Sequence, residues 1–186
     1  MVFSISKAGK FMAYKIRKAE DRDSGSISDV FNYFVENSYA SYETSKVGSD
    51  FYSKMRAGSP NYPFYVIEAS SSVVGFGFLK PFRSNEAFRR TAEITYFILP
   101  EHTRKGLGTK LLQALEKEAK KMSITTLLAN VSSLNNQSLK FHAKKGFRRC
   151  GTFRKIGRKF GEDFDVVWMQ KSLKGGGPRR NARFQT

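Results

Sequence analysis

The chain has 186 residues, 40% hydrophobic and 26% charged, which fits one globular domain with a buried core and excludes a disordered or collagen-like polymer. Thirty-three Lys and Arg against 16 Asp and Glu give a formal net charge of +17, so anions are attracted at range. No apolar run approaches the roughly 20 residues of a bilayer span, and the single Cys150 has no partner for an internal disulfide; a cytoplasmic protein that makes no use of a membrane is expected.

Residues 1–13 read as a basic N-terminal extension without a secretory apolar core, and Met12 offers a second start. Asn136-Gln137-Ser138 matches a glycosylation acceptor, which we read as chance in the absence of that signal. Ile27, Val30, Phe31, Phe34 and Val35 recur at helical spacing after Ser26 and Ser28, which suit a cap. Residues 41–63, rich in Ser, Gly and Tyr, predict a loop with a short helix. FYVIEA and VVGFGFL flank Ser70, Ser71 and Ser72 and predict a hairpin. AEITYFI is the next strand, stopped at Pro100. Leu107, Leu111, Leu112, Leu115 and Ala119 mark one face of a helix. TTLLANV predicts a strand, and residues 135–145 a helix closed by Gly146. FRRCGTF and FDVVWMQ are the final strands, joined around Gly157 and Gly161, and the tail KGGGPRRNARFQT covers residues 174–186. The order predicts a mixed α/β domain over residues 14–173 with a central sheet and no repeat.

Nine basic side chains and no acid lie between residues 140 and 160. They form either a solvated face or, with the basic ends, a surface for nucleic acid.

The stretch LPEHTRKGLGTKLL places glycines and basic residues at the mouth of the leucine-striped helix. A helix N-terminus presents unpaired N–H groups and a positive dipole end. Gly106 and Gly108 would let a phosphate approach them, and Arg104 and Lys105 add charge. A Walker A ending is absent, and Leu111 stands where a dinucleotide fingerprint needs its third glycine. By spacing alone the segment is either a phosphate loop or a plain helix start.

ITYFILPEHTRKGLGTKLLQALEKEAKK followed by LANVSSLNNQSLKFHAKKGFRRCG resembles the acetyl-CoA-binding core of the GNAT N-acetyltransferases. Its loop is Thr103-Arg104-Lys105-Gly106-Leu107-Gly108, with Thr103 where Gln or Arg is usual; Asn135, Ser138, Gly146 and Phe147 match the second half. The chain further resembles the phosphinothricin acetyltransferase-like branch over residues 15–173. IRKAEDRD is similar to that branch's first strand. Asn32, Ala40, Tyr42 and Glu43 match its first helix and following loop, KPFRSNEAFRRTAEITYFI its substrate hairpin and catalytic strand, SLKFHAKKGF its histidine, and FGEDFDVVWMQ its closing strand.

The resemblance implies a GNAT fold: a mixed, mostly antiparallel twisted sheet flanked by helices and splayed at the acetyl-CoA site. It implies acetyl transfer from acetyl-CoA to the primary amine of a small molecule, with no metal. An α-amino group has a pKa near 7.7–8.0, so a base must take its proton. Glu93 matches the family's catalytic Glu; otherwise it is a partner of Arg89 or Arg90. A backbone N–H near Tyr96, Phe97 and Ile98 would face the developing oxyanion, and these residues would bond the pantetheine arm. Residues 104–109, Arg104, Lys105, Gly106, Leu107, Gly108 and Thr109, would wrap the pyrophosphate, with Asn135 and Ser138 further along the cofactor. His142 would protonate the leaving thiolate, orient the substrate, or simply pack against the sheet. Tyr42, Phe82, Arg83 and Phe88 match the acceptor pocket, although Asn85 stands where the branch has a second Arg. Cys150 has no flanking base and is expected to be a buried strand thiol. Homodimerisation follows from the branch alone. A protein amine as acceptor, or a non-catalytic nucleic-acid-binding module, are the competing readings.

Overall fold

The computed structural model describes residues 2–7 and 10–173, with side chains from Ala13 onward. The basic tail therefore lies outside the described residues. β1 (Val2–Lys7) and β2 (Lys10–Lys18) pair antiparallel, so the sheet begins within the stretch expected as an extension. β3 (Phe64–Ala69) and β4 (Ser72–Pro81) form the expected hairpin. Ser70 and Ser71 both take positive φ, 47° and 68°, the conformation that a two-residue turn needs to match strand twist. β5 (Thr91–Ile98), β6 (Thr126–Ser132), β7 (Arg148–Lys159) and β8 (Glu162–Ser172) complete an eight-stranded sheet in the order β1-β2-β3-β4-β5-β6-β8-β7. Among the described residues only β5 and β6 run parallel. The sheet is mixed and mostly antiparallel, as the resemblance implies.

Helices cover both faces. The leucine stripe forms α3 (Leu107–Lys121), whose Leu107, Leu111, Leu112, Leu115 and Ala119 are buried with Ile67, Leu79, Ile94, Leu127 and Val167. The helix comes close because β4 has no side chain at Gly77: a Cβ there would lie 3.0 Å from Leu111 Cδ2 and 2.9 Å from Tyr96 Cβ. The opposite face carries α1 (Ser24–Asn37) and α2 (Phe51–Gly58) over Phe64, Val66, Phe76, Phe78 and Phe97. α4 (Asn136–Lys144) returns to the α3 side through Leu139 and Phe141.

Three local expectations need correction. α1 starts at Ser24, so Ser26 and Ser28 lie inside the helix rather than at its cap. Ser28 instead donates to the carbonyls of Ser24 and Gly48, at 3.0 Å each. Asp23 at the N-cap position is engaged elsewhere, accepting from the Glu20 N–H and from both terminal nitrogens of Arg17. The β7–β8 turn is Phe160-Gly161 alone, and Gly157 lies inside β7 against the Phe164 ring. Cys150 is exposed because β7 is an edge strand. Its thiol donates to the Trp168 carbonyl at 3.4 Å, and partial burial pushes its pKa up.

Candidate active site

The parallel pairing of β5 with β6 ends at Glu93↔Leu128, although both strands continue. Residues 94–98 therefore lose their strand partner on that side, the splay that the resemblance implies. The cleft holds a cavity of about 50 Å³ lined by Ile94, Tyr96, Phe97, Asn130, Asn135 and His142, among others. A larger cavity, about 720 Å³, lies at the other end of β5 between Arg89, Arg90, Lys120 and Leu173. It contains none of the predicted site residues.

Glu93 stands at the last paired rung and is almost fully buried. Its Oε2 accepts a hydrogen bond from Asn130 Nδ2 at 3.2 Å and lies 3.3 Å from Lys80 Nζ. Of the partners foreseen from sequence, Arg89 or Arg90, Arg89 pairs instead with Glu86 at 2.5 Å. Lys80 is the cross-strand neighbour of Glu93, and such neighbours share a face. That face is the α1 side, since Phe76 and Phe78 on β4 and Phe97 on β5, two or four residues from Lys80 and Glu93 and so on the same face, enter its core. Asn130 is likewise opposite Trp168 on β8. The Phe82 ring lies 6.0 Å from Trp168 and 5.5 Å from Phe88, both edge-on, with the Arg83 guanidinium 5.4 Å above it. Three of the four predicted acceptor residues, Phe82, Arg83 and Phe88, thus meet. Tyr42 is half-exposed and stacks on Phe164 in a second aromatic set.

The loop carrying Tyr42 is tied down. Asn32 both donates to the Val47 carbonyl and accepts from its N–H. Buried Lys159 donates to the carbonyls of Ser38 and Ser41 at 2.9 Å and of Phe34 at 3.4 Å. Burial lowers the lysine's pKa against the pull of Glu43. Lys159→Met would leave these carbonyls short of a donor, at a cost of roughly 1–3 kcal/mol. Denaturant unfolding should show that loss, and an unchanged midpoint would mean that water replaces the ammonium.

Tyr96 and His142 occupy the other face. His142 Nδ1 lies 2.9 Å from the Ser138 carbonyl, which can only accept, so Nδ1 carries the proton. Nε2 then receives the Tyr96 hydroxyl hydrogen at 2.6 Å. Burial lowers the His142 pKa, opposed by the Ser138 hydrogen bond, and raises that of Tyr96. The imidazole is neutral near pH 7, with both nitrogens engaged.

At the mouth of α3, Gly106 is the N-cap residue with φ 78°, and no side chain caps the helix. Lys110 is the first residue whose N–H reaches back into the turn, to the Gly106 carbonyl, so those of Leu107, Gly108 and Thr109 point out of the helix end. A Cβ at Gly106 would meet open space, and one at Gly108 would press on the Phe141 ring at 3.3 Å. This uncapped end of a 15-residue helix suits a pyrophosphate. Arg104 is exposed beside it with φ 59°. Lys105 points away, donating to the Tyr14 hydroxyl at 3.0 Å and the Glu101 carbonyl at 2.8 Å. Asn135 caps α4 through Oδ1, which accepts from the Ser138 N–H, and it reaches the cleft together with Ser138. Among the described residues no cluster of metal-ligating side chains forms, and no helix is long and apolar enough to cross a membrane.

Sequence reasoning missed Lys80, Asn130, Trp168 and Lys159. Asn130 carried a signal, being a polar residue within the apolar run TTLLANV. Lys80 and Trp168 emerge only from strand register, and Lys159 only from the packing of the end of β7 on α1 and the loop after it.

Comparison with known proteins agrees with this geometry. Residues 27–147 match the model of the acetyltransferase (GNAT) family. The chain is 32% identical to the L-amino acid N-acyltransferase MnaT of Escherichia coli, covering 85% of this chain and 93% of the relative. It is 31% identical to the phosphinothricin N-acetyltransferase of Alcaligenes faecalis, covering 88% and 85%. The Salmonella typhimurium acetyltransferase yncA, solved with acetyl-CoA, superposes with a TM-score of 0.81 at 30% identity, over 88% of this chain and 96% of that one. Similar identities to differently named relatives leave the branch undistinguished. The splayed strands, the uncapped glycine turn and these matches agree: the chain belongs to the GNAT family of acetyl-CoA-dependent acetyltransferases.

Proposed function

We propose that the protein acetylates the primary amine of a small molecule, an amino acid analogue of the phosphinothricin or methionine sulfoximine kind, with Glu93 as general base. The observation that carries this reading is the placement of Glu93. A nearly buried carboxylate stands where β5 and β6 part, on the face walled by Phe82, Phe88 and Trp168. Relatives named for L-amino acids and for phosphinothricin support the acceptor class.

Acetyl-CoA, when bound, supplies an activated acetyl thioester. The chain's residues do the rest. The backbone of residues 106–109, with Arg104, holds the pyrophosphate, and Asn135 and Ser138 face the pantetheine. The unpaired edge of Tyr96, Phe97 and Ile98 bonds that arm and offers an N–H to the carbonyl oxygen. Glu93 takes the amine proton, directly or through a water. His142 has an orienting part, its neutral ring fixing the Tyr96 hydroxyl. Residues 14–173 hold the whole catalytic site, and the protein works in the cytoplasm as a homodimer.

A thiol-release assay with acetyl-CoA and a panel of amino acid analogues, polyamines, antibiotics and peptides tests the reading. Free amino acid analogues should be the best acceptors. Turnover confined to peptides would replace it with protein acetylation.

A further inference from the structure

We infer that Lys80 is the carboxylate-binding residue of the acceptor site, so that the protein selects amines bearing an adjacent carboxylate. This rests on the small-molecule acetyltransferase reading above.

The Lys80 ammonium lies 3.3 Å from the Glu93 carboxylate, and the two residues are direct cross-strand partners on β4 and β5. Their surroundings differ. The Glu93 side chain is 11% exposed and is further held by Asn130, whereas that of Lys80 is 40% exposed at the rim. Glu93 is fixed, and Lys80, on a flexible four-carbon stem, is free to swing.

An incoming protonated amine must reach the same carboxylate that Lys80 occupies. A simple amine would compete with Lys80 for one anion and leave the displaced lysine without a partner. An α-amino acid differs, because its ammonium and carboxylate lie roughly 3 Å apart on one carbon. That spacing reproduces the Lys80–Glu93 pair itself. The zwitterion can place its ammonium on Glu93 and its carboxylate on Lys80, exchanging one ion pair within the protein for two across the site. The nearby Arg83 does not offer the same geometry. Its side chain is exposed and rests over the Phe82 ring. Lys80 thereby supplies the cation that the sequence lacks at Asn85.

The test compares a free amino acid analogue with its carboxyl methyl ester, in the wild-type protein and in Lys80→Met, Lys80→Arg and Arg83→Met. The wild type should favour the free acid. In Lys80→Met, kcat/KM for the acid should fall at least tenfold through KM, while that for the ester should rise, because Glu93 is no longer contested. Lys80→Arg should restore much of the preference. Acid and ester falling together in Lys80→Met, or a preference that shifts only in Arg83→Met, would overturn the assignment. A wild type that favours the ester would overturn it while leaving the acetyltransferase reading intact. No release of CoA with any amine would sink both.

Discussion

Glu93→Gln is expected to lower kcat by at least about 10²-fold at neutral pH, the lower end of what general base catalysis contributes. The amide keeps the shape of the carboxylate, and its oxygen can still accept from Asn130 Nδ2. It cannot accept the amine proton, and Lys80 loses its ion-pair partner. Acetyl-CoA affinity should hold, because the turn at Gly106 proposed for the phosphates lies past the far end of β5. Raising the pH should partly restore the rate. An acceptor with an ordinary α-amino pKa near 8 arrives increasingly neutral as pH rises through that value, and the need for a base falls with it. The wild type should gain less over the same range, so the two profiles converge at alkaline pH. Pre-steady-state measurement of the acetyl-transfer step provides the check. A wild-type rate in the variant, with chemistry limiting, would leave Glu93 as a structural partner of Lys80 and Asn130.

What the sequence revealed and what it concealed follow from how far apart the interacting residues are. The α3 stripe, the serine hairpin and the helix before Gly146 are written in windows of a few residues, so periodicity and turn chemistry expose them. The glycine turn is equally local, but its spacing alone did not separate a phosphate site from a plain helix start. The second half of the motif, around Asn135 and Gly146, completes the resemblance that implies a phosphate site there. The contacts of Lys80 and Asn130 with Glu93 were hidden for another reason. Both touch Glu93 only because β4 and β6 flank β5, and strand order is a property of the whole sheet. The exposure of Cys150 is hidden on the same ground, since a strand thiol with no flanking base is expected to be buried and only strand order places β7 at an edge. The side chain of Asp23 leaves α1 uncapped for a similarly non-local reason, since Arg17 on β2 claims the carboxylate.

Gly106→Glu should weaken acetyl-CoA binding by roughly two powers of ten or more, while the fold survives. Space is not the obstacle, since a Cβ at this position meets nothing within 4 Å. Two costs remain, and they can be separated. The backbone at φ 78° disfavours any side chain by about 1–2 kcal/mol, a cost borne by the free protein and equally present in Gly106→Ala. The carboxylate adds repulsion toward a pyrophosphate seated on the same helix end. At about 4 Å and an effective dielectric constant near 20, one pair of unit charges repels by about 4 kcal/mol, which salt screens in part. Gly106→Ala should therefore lower the melting temperature as Gly106→Glu does and keep most of the cofactor affinity. Titration calorimetry of both variants with acetyl-CoA, at low and high salt, measures the difference. Charge at the phosphate site predicts that the gap between Ala and Glu narrows as salt rises. Equal affinities in the two variants would assign the loop a structural part only, and the pyrophosphate would then have to be held elsewhere along the cleft.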